Sequence, residues 1–211
     1  MDIKKIRSEY SKDELKEEFL ESNPMILFSQ WFEGAVKSGY SEVNAMTLAT
    51  ATPDGKPSAR TVLLKGFDEK GFVFYTNYKG RKATEIERNP VAALLIFWKE
   101  LERQVRIEGK VEKVSSVESD EYFNSRPLES KMSAIVSKQS QPVESRQQLE
   151  ELWVEFLKEN YDKDIPRPDY WGGYRVIAEK IEFWQGRPNR LHDRILFSRR
   201  RNGWMIKRLQ P

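Results

Sequence analysis

Short strand-like segments joined by tight turns dominate this sequence and restrict the folds open to it. Pro-Asp-Gly at residues 53–55, Asp-Glu-Lys-Gly at 68–71 and Arg-Asn-Gly at 201–203 each lie between two such segments. Turns this short join antiparallel strands, because a parallel pair requires a crossover of about a dozen residues or more. The sequence therefore predicts an antiparallel sheet and disfavours a dinucleotide-binding fold of alternating strands and helices.

Hydrophobic periodicity predicts the remaining elements. Strands are predicted at residues 45–52, 58–67, 72–76, 91–98, 102–114, 173–184, 194–199 and 204–209. Helices are predicted at residues 12–20, 24–37, 79–88, 117–124, 129–137 and 143–159. Asn23 is the expected cap of the second helix, with Pro24 in its first turn. Together these elements predict a mainly β protein with helices (α+β), arranged as a closed or nearly closed barrel with the helices outside.

Length and composition limit the class of protein. The 211 residues predict a polar, mobile N-terminal arm at residues 1–22 and a single domain at residues 23–211. The chain has no cysteine and one histidine, so we expect no disulfide and no metal site. It lacks a signal-peptide pattern and a long apolar run, so we expect a cytoplasmic protein without membrane association. A net charge of +3 permits an anionic ligand without requiring a nucleic acid.

The only histidine lies in the string Arg190-Leu191-His192-Asp193-Arg194, which follows FWQG at residues 183–186. Arginine forks bind phosphate or carboxylate, and tryptophan packs on planar rings, so this cluster favours an anionic, planar ligand. The alternative is a hairpin with a solvated basic turn. His192 is a candidate for substrate positioning or for proton transfer.

A second group of residues suits a phosphate. Gly80-Arg81-Lys82 opens a predicted helix, where free backbone N–H groups and two cations attract an anion. The alternative is an exposed helix start. Arg60 and Lys65 differ in strand parity, so they are predicted to face opposite sides and to serve different partners, unless one is simply solvated.

A third group suits another phosphate. Tyr122 and Arg126 are four residues apart, which places them on one face of a predicted helix, and Ser130 falls in the first turn of the next helix. The alternative is a surface Tyr–Arg pair. The polar loop SKQS at residues 137–140 suits hydrogen bonds to the heteroatoms of a ring. The alternative is that it only caps a helix. Two phosphate-suited groups imply two phosphorylated ligands, such as a cofactor and a substrate.

The strand that begins near residue 102 carries its polar groups on both faces. Gln104 and Arg106 are predicted to share one face and Arg103 the other. The alternative is a solvated edge strand.

Together, these strings resemble the pyridoxine (pyridoxamine) 5′-phosphate oxidase family. The matching segments are RTVLLK (60–65), FYTN (74–77), GRKATEIERNP (80–90), LERQVRIEGK (101–110), YFNSRP (122–127), SKQSQ (137–141), WGGYRV (171–176) and IEFWQGRPNRLHDR (181–194). The match extends from RSEY at residues 7–10 to the terminal RLQP. One departure is visible: the family often carries Asp-Pro-Thr before the strand at Ala45, and this chain has Glu42-Val43-Asn44.

The resemblance implies a fold, a cofactor and a reaction in vitamin B6 biosynthesis and salvage. The fold is a split β-barrel that binds FMN, with active sites at the interface of a homodimer. The 4′-carbon of pyridoxine or pyridoxamine 5′-phosphate is oxidised to the aldehyde of pyridoxal 5′-phosphate by hydride transfer to flavin N5. Dioxygen then reoxidises the flavin and yields hydrogen peroxide.

The resemblance also implies residue roles. FMN would be bound by residues of six of these segments: Arg60, Thr61, Val62, Leu63, Leu64, Lys65, Tyr75, Thr76, Arg81, Lys82, Gln104, Gln139, Ser140, Trp184 and Arg194. The substrate would be bound by Arg7, Tyr10, Lys65, Tyr122, Arg126, Ser130, Arg190, Leu191 and His192. The residues nearest the chemistry would be Arg190, His192 and Arg194. Arg7 and Tyr10 resemble the family's mobile segment that closes over the substrate and excludes water.

Two other functions compete with this one. Split-barrel flavin reductases and flavin-binding proteins share the fold and act on other substrates, but they should lack the pairing of the Tyr122 and His192 groups. A basic barrel that binds RNA is the second rival. Against it, 33 acidic residues nearly balance the 36 lysines and arginines and are spread through the chain.

Overall fold

The computed structural model describes residues 9–161 and 163–211. All strand pairs in that part of the chain are antiparallel, as predicted. The strands are β1 (Ala45–Ala51), β2 (Pro57–Leu63), β3 (Gly66–Asp68), β4 (Gly71–Asn77), β5 (Val91–Trp98), β6 (Arg103–Lys113), β7 (Trp171–Gln185), β8 (Asp193–Arg200) and β9 (Gly203–Arg208). They form one sheet in the order β2-β1-β5-β6-β7-β4-β3, with β8 and β9 continuing from β7.

The sheet curls because its first and last strands are consecutive in the chain. Only Leu64 and Lys65 separate β2 from β3, so the predicted single strand at residues 58–67 is divided by a corner. At this corner the Leu64 N–H donates to Asn44 O beside β1, and the Lys65 N–H donates to Val73 O in β4. Two adjacent amides thus bond to opposite ends of the sheet, which gives the barrel-like curvature.

Strand β7 changes partner along its length. Residues 171–176 pair with β4 on one edge, whereas residues 180–185 pair with β8 on that same edge. The other edge pairs with β6 throughout, with a register shift between Glu108 and Gly109. A Cβ on Gly109 would lie 1.9 Å from Ile177 O, so this close approach of two backbones requires glycine.

Strand β6 is central, which rules out the solvated edge strand that was the alternative for this segment. It pairs with β5 on one side and β7 on the other. Arg103 points toward the core, where its guanidinium lies 4.6 Å from the ring centroid of Trp31, and Arg106 is exposed on the opposite face. The predicted division of polar groups between the two faces is confirmed.

Five helices lie outside the sheet: α1 (Pro24–Lys37), α2 (Arg81–Arg88), α3 (Ser116–Asn124), α4 (Leu128–Val136) and α5 (Arg146–Asn160). The Asn23 side chain accepts the Met25 N–H and caps α1, as predicted. Helix α1 buries Phe28 and Trp31 against the main core of the sheet. A smaller core of Phe123, Met132, Ile165 and Trp171 lies under α3 and α4.

The predicted helix at residues 12–20 is wrong. Only a single 3-10 turn, Glu17–Phe19, forms there, and residues 12–16 are extended or irregular. Carboxylates from elsewhere take the backbone N–H groups: Glu102 accepts from Ser11 and Lys12, and Asp193 accepts from Leu15. Tertiary hydrogen bonds have replaced the ones a helix would have made. Within the described residues, no helix is both long and apolar enough to cross a membrane.

Candidate functional site

The first part of the site is the start of α2. Gly80 is the residue before the helix and has no side chain with which to cap the first turn. Lys82 Nζ donates to Gln139 Oε1 at 2.6 Å and to Thr76 Oγ1 at 3.2 Å, and the Arg81 N–H donates to Ser140 Oγ at 3.2 Å. The 137–140 loop is therefore brought onto the helix start, and we call this group the α2 seat. A helix N-terminus beside cations is suited to bind an anion.

The charge balance of the α2 seat also favours an anion. Arg60 and Arg81 pair with one buried carboxylate, Glu85, and a third cation, Lys82, lies near Arg60. Burial would raise the pKa of Glu85, but hydrogen bonds from Ser58, Thr50 and Arg81 lower it to about 2. Burial and the nearby Arg60 lower the pKa of Lys82. A bound phosphate would neutralise the excess positive charge.

The second part is an aromatic group beside α3, which we call the Tyr122 cluster. The rings of Tyr75 and Tyr122 stack with centroids 3.9 Å apart, and Trp171 lies nearly parallel at 5.7 Å from Tyr75. Burial raises the pKa of Tyr75 to about 12, so its hydroxyl remains protonated. Lys65 is exposed, with Nζ 5.9 Å from the Tyr122 centroid.

Arg126 is the charged centre of the Tyr122 cluster. Its guanidinium lies 4.6 Å from the Trp171 centroid, and Nη1 is buried without a hydrogen-bond partner among the described residues. Burial lowers its pKa. A buried donor without an acceptor is unfavourable by about 1–3 kcal/mol, so this atom is suited to receive a ligand oxygen.

The helical relation predicted between Tyr122 and Arg126 is wrong, although the two do lie in one cluster. Helix α3 ends at Asn124, and the Arg126 N–H donates to Phe123 O in the turn that follows. Pro127 lies directly before α4, where Ser130 occupies the predicted first turn. The sequence analysis assigned Trp171 no role, although this residue begins the WGGYRV segment (171–176) that resembles the oxidase family.

The third part lies around His192, and we call it the His192 end. His192 Nδ1 accepts the Arg187 N–H at 3.1 Å, and its ring lies 4.7 Å from that of Trp184. Burial and the nearby Arg190 lower the pKa of His192, so the imidazole is neutral near pH 7. The ring of Tyr10 packs edge-on against both Trp184 and His192.

Residues of the Arg190–Arg194 string differ in their environments. Arg190 and Leu191 are exposed in the loop between β7 and β8, as the hairpin alternative expected. Arg194 instead donates to Glu182 Oε1 at 2.8 Å, which raises its pKa, and to Gln210 O at 2.9 Å. The strand register aligns Gln104, Trp184 and Arg194 in one row across β6, β7 and β8.

Within one chain, the His192 end lies far from the other two parts. Tyr75 pairs with Gly173 at one end of β7, and Trp184 lies at the other end. The eleven intervening steps correspond to about 35 Å along the strand. The α2 seat and the Tyr122 cluster are neighbours in β4, because Thr76 belongs to the first and Tyr75 to the second. The His192 end lies at the far end of β7, away from both.

The remaining predicted residues lie in and beyond β2. Arg60 points inward and donates to Thr50 Oγ1 at 2.6 Å, whereas Lys65 lies at the Tyr122 cluster. The two cations therefore contact different groups, as the parity predicted. Among the residues between them, Thr61 and Leu63 are exposed, Val62 is half-buried and Leu64 is buried. Arg7 lies outside the described residues, and the roles assigned to individual residues stay predictions.

Comparisons with known proteins identify the family. Residues 32–158 match the family described as pyridoxamine 5′-phosphate oxidase, and residues 171–211 match the pyridoxine 5′-phosphate oxidase C-terminal dimerisation region. The chain belongs to this oxidase family. The resemblance found in the sequence is confirmed, and the protein is an oxidoreductase.

Relatives across the full length support this assignment. The pyridoxine/pyridoxamine 5′-phosphate oxidase of Rubrobacter xylanophilus is 56% identical over 210 residues, which cover 100% of this chain and 97% of the relative. That of Bordetella pertussis is 51% identical over 212 residues and covers 100% of both chains.

Solved structures confirm the split-barrel fold class. PhzG from Burkholderia lata, in complex with tetrahydrophenazine-1-carboxylic acid, has a TM-score of 0.89 and 30% identity and covers 95% of this chain and 100% of its own. An FMN-binding protein from Nostoc punctiforme, related to pyridoxamine 5′-phosphate oxidase, has a TM-score of 0.73 at 18% identity. It covers 91% of this chain and 100% of its own.

Proposed function

We propose that this oxidase converts pyridoxine 5′-phosphate or pyridoxamine 5′-phosphate to pyridoxal 5′-phosphate, with FMN as cofactor and dioxygen as the electron acceptor. The observation that carries the proposal is the buried Nη1 of Arg126, which has no hydrogen-bond partner in the described part of the chain. Tyr122 neighbours this guanidinium and Lys65 lies near the Tyr122 ring, so the cluster suits the phosphate of a small phosphorylated substrate. The ring of the substrate would extend from there toward the flavin.

The α2 seat supports FMN as the cofactor. Its excess of cations and its helix N-terminus fit the phosphate of a mononucleotide, and Gln139 and Ser140 contact the same place. When bound, FMN would supply the redox chemistry for oxidation at the 4′-carbon of the substrate. Arg60, Lys82 and the Arg81 amide would hold its phosphate.

The geometry of His192 favours positioning over base catalysis. Because Nδ1 accepts the Arg187 N–H, the neutral imidazole carries its proton on Nε2. The lowered pKa maintains this neutral form near pH 7. His192 therefore offers a donor to the substrate, and with Arg190 it would align the 4′-carbon for transfer.

The separation of the three parts supports a homodimer in which each active site takes residues from both chains. One chain holds the His192 end about 35 Å along β7 from the Tyr122 cluster. The outer face of the sheet exposes Leu63, Val91 and Phe97, at 37%, 45% and 43% of their surface. Exposed apolar groups of this kind mark association surfaces, and a second chain packed there would bring its His192 end to this cluster.

The likeness to PhzG favours a second candidate, a split-barrel oxidase whose substrate carries a carboxylate instead of a phosphate. The ligand of that structure is a carboxylic acid. The Tyr122 cluster disfavours this candidate, because its lysine, tyrosine and buried arginine offer more hydrogen-bond donors than a single carboxylate needs.

An anaerobic titration separates the two candidates. The FMN-loaded protein is mixed with pyridoxine 5′-phosphate while the visible flavin band is followed. We expect the band to bleach, and to return with formation of aldehyde and hydrogen peroxide when air is admitted. A band that stays unchanged with flavin demonstrably bound would reject the proposed substrate and leave the PhzG-like candidate.

A further inference from the structure

Residues 10–17 cross the His192 end in an extended path, and we call this segment the strap. Its backbone is held by carboxylates of the barrel. Glu102 Oε2 accepts the Ser11 N–H at 2.8 Å and the Lys12 N–H at 3.0 Å. Directly before these two amides, the ring of Tyr10 lies 5.6 Å from Trp184 and 5.7 Å from His192. The carboxylate of Glu102 thus fixes the chain next to the ring that covers the site.

Glu102 has an unusual backbone that suits this contact. Its φ is +54°, in the left-handed region that costs a residue with a Cβ about 1–2 kcal/mol, and its side chain is buried. The backbone of Glu102 bonds to the strand beside it, since the Gly186 N–H donates to Glu102 O at 2.7 Å. A glutamate is therefore held in an unfavourable conformation with its carboxylate turned toward the strap.

Gly186 makes room for the same contact. A Cβ at this position would lie 2.7 Å from Cβ of Tyr10 and 3.0 Å from Cβ of Glu102. Tyr10, Gly186 and Glu102 are thus packed at the limit of close approach, with no space for a side chain between the strap and the barrel.

We propose that Glu102 is a positioning residue, whose carboxylate anchors the strap so that Tyr10 packs against His192 and Trp184. Two hydrogen bonds to one ionised oxygen are stronger than neutral ones, which suits a short segment that has no helix of its own. This role rests on the proposed function only in that the covered site is taken to be the substrate site.

Hydrogen exchange tests the anchor without reference to activity. In Glu102→Gly the left-handed backbone is favourable and the carboxylate is lost, so the Ser11 and Lys12 amides should exchange about tenfold faster. Glu102→Gln retains an acceptor without charge and should give a smaller increase. Glu100→Gln is the matched control, because this exposed side chain lies in the same turn, and it should exchange like the wild type. Unchanged exchange at both amides in Glu102→Gly would overturn the anchor.

Steady-state kinetics of the FMN-loaded protein test the positioning role. We expect Glu102→Gly to raise KM for pyridoxine 5′-phosphate about fivefold to tenfold. The melting temperature and the Kd for FMN should stay close to wild type, because the backbone contacts of residue 102 remain. Faster exchange with an unchanged KM would overturn the positioning role. A wild type without turnover would instead reject the proposed substrate, and the exchange result would still decide the anchor.

Discussion

Arg126 and Arg194, near the two ends of β7, differ in whether they have carboxylate partners. At the Tyr122 cluster, Arg126 has a buried nitrogen without a hydrogen-bond partner among residues 9–161 and 163–211. At the His192 end, Arg194 bonds to the nearly buried Glu182, and Arg208 pairs with Asp193 and Glu17. Unpaired cations are available to a ligand, whereas paired ones are oriented in advance by the protein. We therefore infer that the first end supplies binding and the second supplies alignment.

The largest expected effect is at Arg126. Arg126→Ala removes the fork that meets the substrate phosphate, which corresponds to about 2–3 kcal/mol or roughly a 100-fold rise in KM. Because a phosphate grip acts equally in the ground state and the transition state, kcat should change little. Steady-state kinetics measure both. Arg126→Lys keeps the charge without the fork and should be intermediate; a loss confined to kcat would contradict a binding role.

Mixed dimers test whether each active site takes residues from both chains. When Arg126→Ala and Arg194→Met chains are combined, one of the two sites in each mixed dimer should contain both wild-type residues. We expect about half of the wild-type activity per mixed dimer, compared with about a tenth or less at low substrate for either variant alone. Tagged co-expression and an activity assay provide the measurement. If mixed dimers are as inactive as the parents, each site is built from a single chain.

Arg194→Met should affect both stability and catalysis. Removal of this guanidinium leaves Glu182 with one cationic partner fewer, and we expect a loss of about 2 kcal/mol in the free energy of unfolding. We also expect about a tenfold loss of kcat or of FMN affinity, to be measured by kinetics and by flavin titration. The double variant Arg194→Met/Glu182→Gln should regain stability without activity. Recovery of both would give Arg194 a purely structural role.

The smallest effect concerns Glu85 in the α2 seat. Its pKa is about 2 in the folded protein, below the ordinary value of 4.5, so its contribution to stability is complete above pH 4.5 and is lost as the pH falls toward 2. Glu85→Gln should lower the free energy of unfolding by about 2 kcal/mol at pH 7 and should converge with wild type in acid. Urea denaturation at several pH values measures this. Glu87→Gln, on the exposed face of α2, is the control, and a constant difference from pH 7 to 3 would refute the ion-pair explanation.

Much of the fold could be predicted from local patterns. β5 matched its predicted bounds, and α1 began at its predicted cap, because a buried strand and an Asn-Pro start leave clear local signals. The helix predicted at residues 12–20 was wrong because a charge-rich sequence is compatible with a helix and with an extended segment alike. Distant carboxylates, Glu102 and Asp193, decided the extended form, and no local pattern reveals them.

The candidate site divides in the same way. The residue types at Gly80-Arg81-Lys82 and at Arg126 pointed to phosphates because helix starts and guanidinium groups bind anions wherever they are exposed. The stack of Arg126 on Trp171 joins residues 45 positions apart in the sequence, so only the folded chain could show it.

Local sequence is enough to specify which segments become antiparallel strands, which residue types suit anions and to which family the chain belongs, because turn chemistry, periodicity and motifs are local properties. How those segments meet depends on long-range pairing in the folded chain. Leu64 and Lys65 close the sheet by bonding to two strands that are far apart in its order, and the length of β7 keeps the His192 end away from the Tyr122 cluster. Both depend on pairing between residues distant in the chain, for which periodicity carries no information.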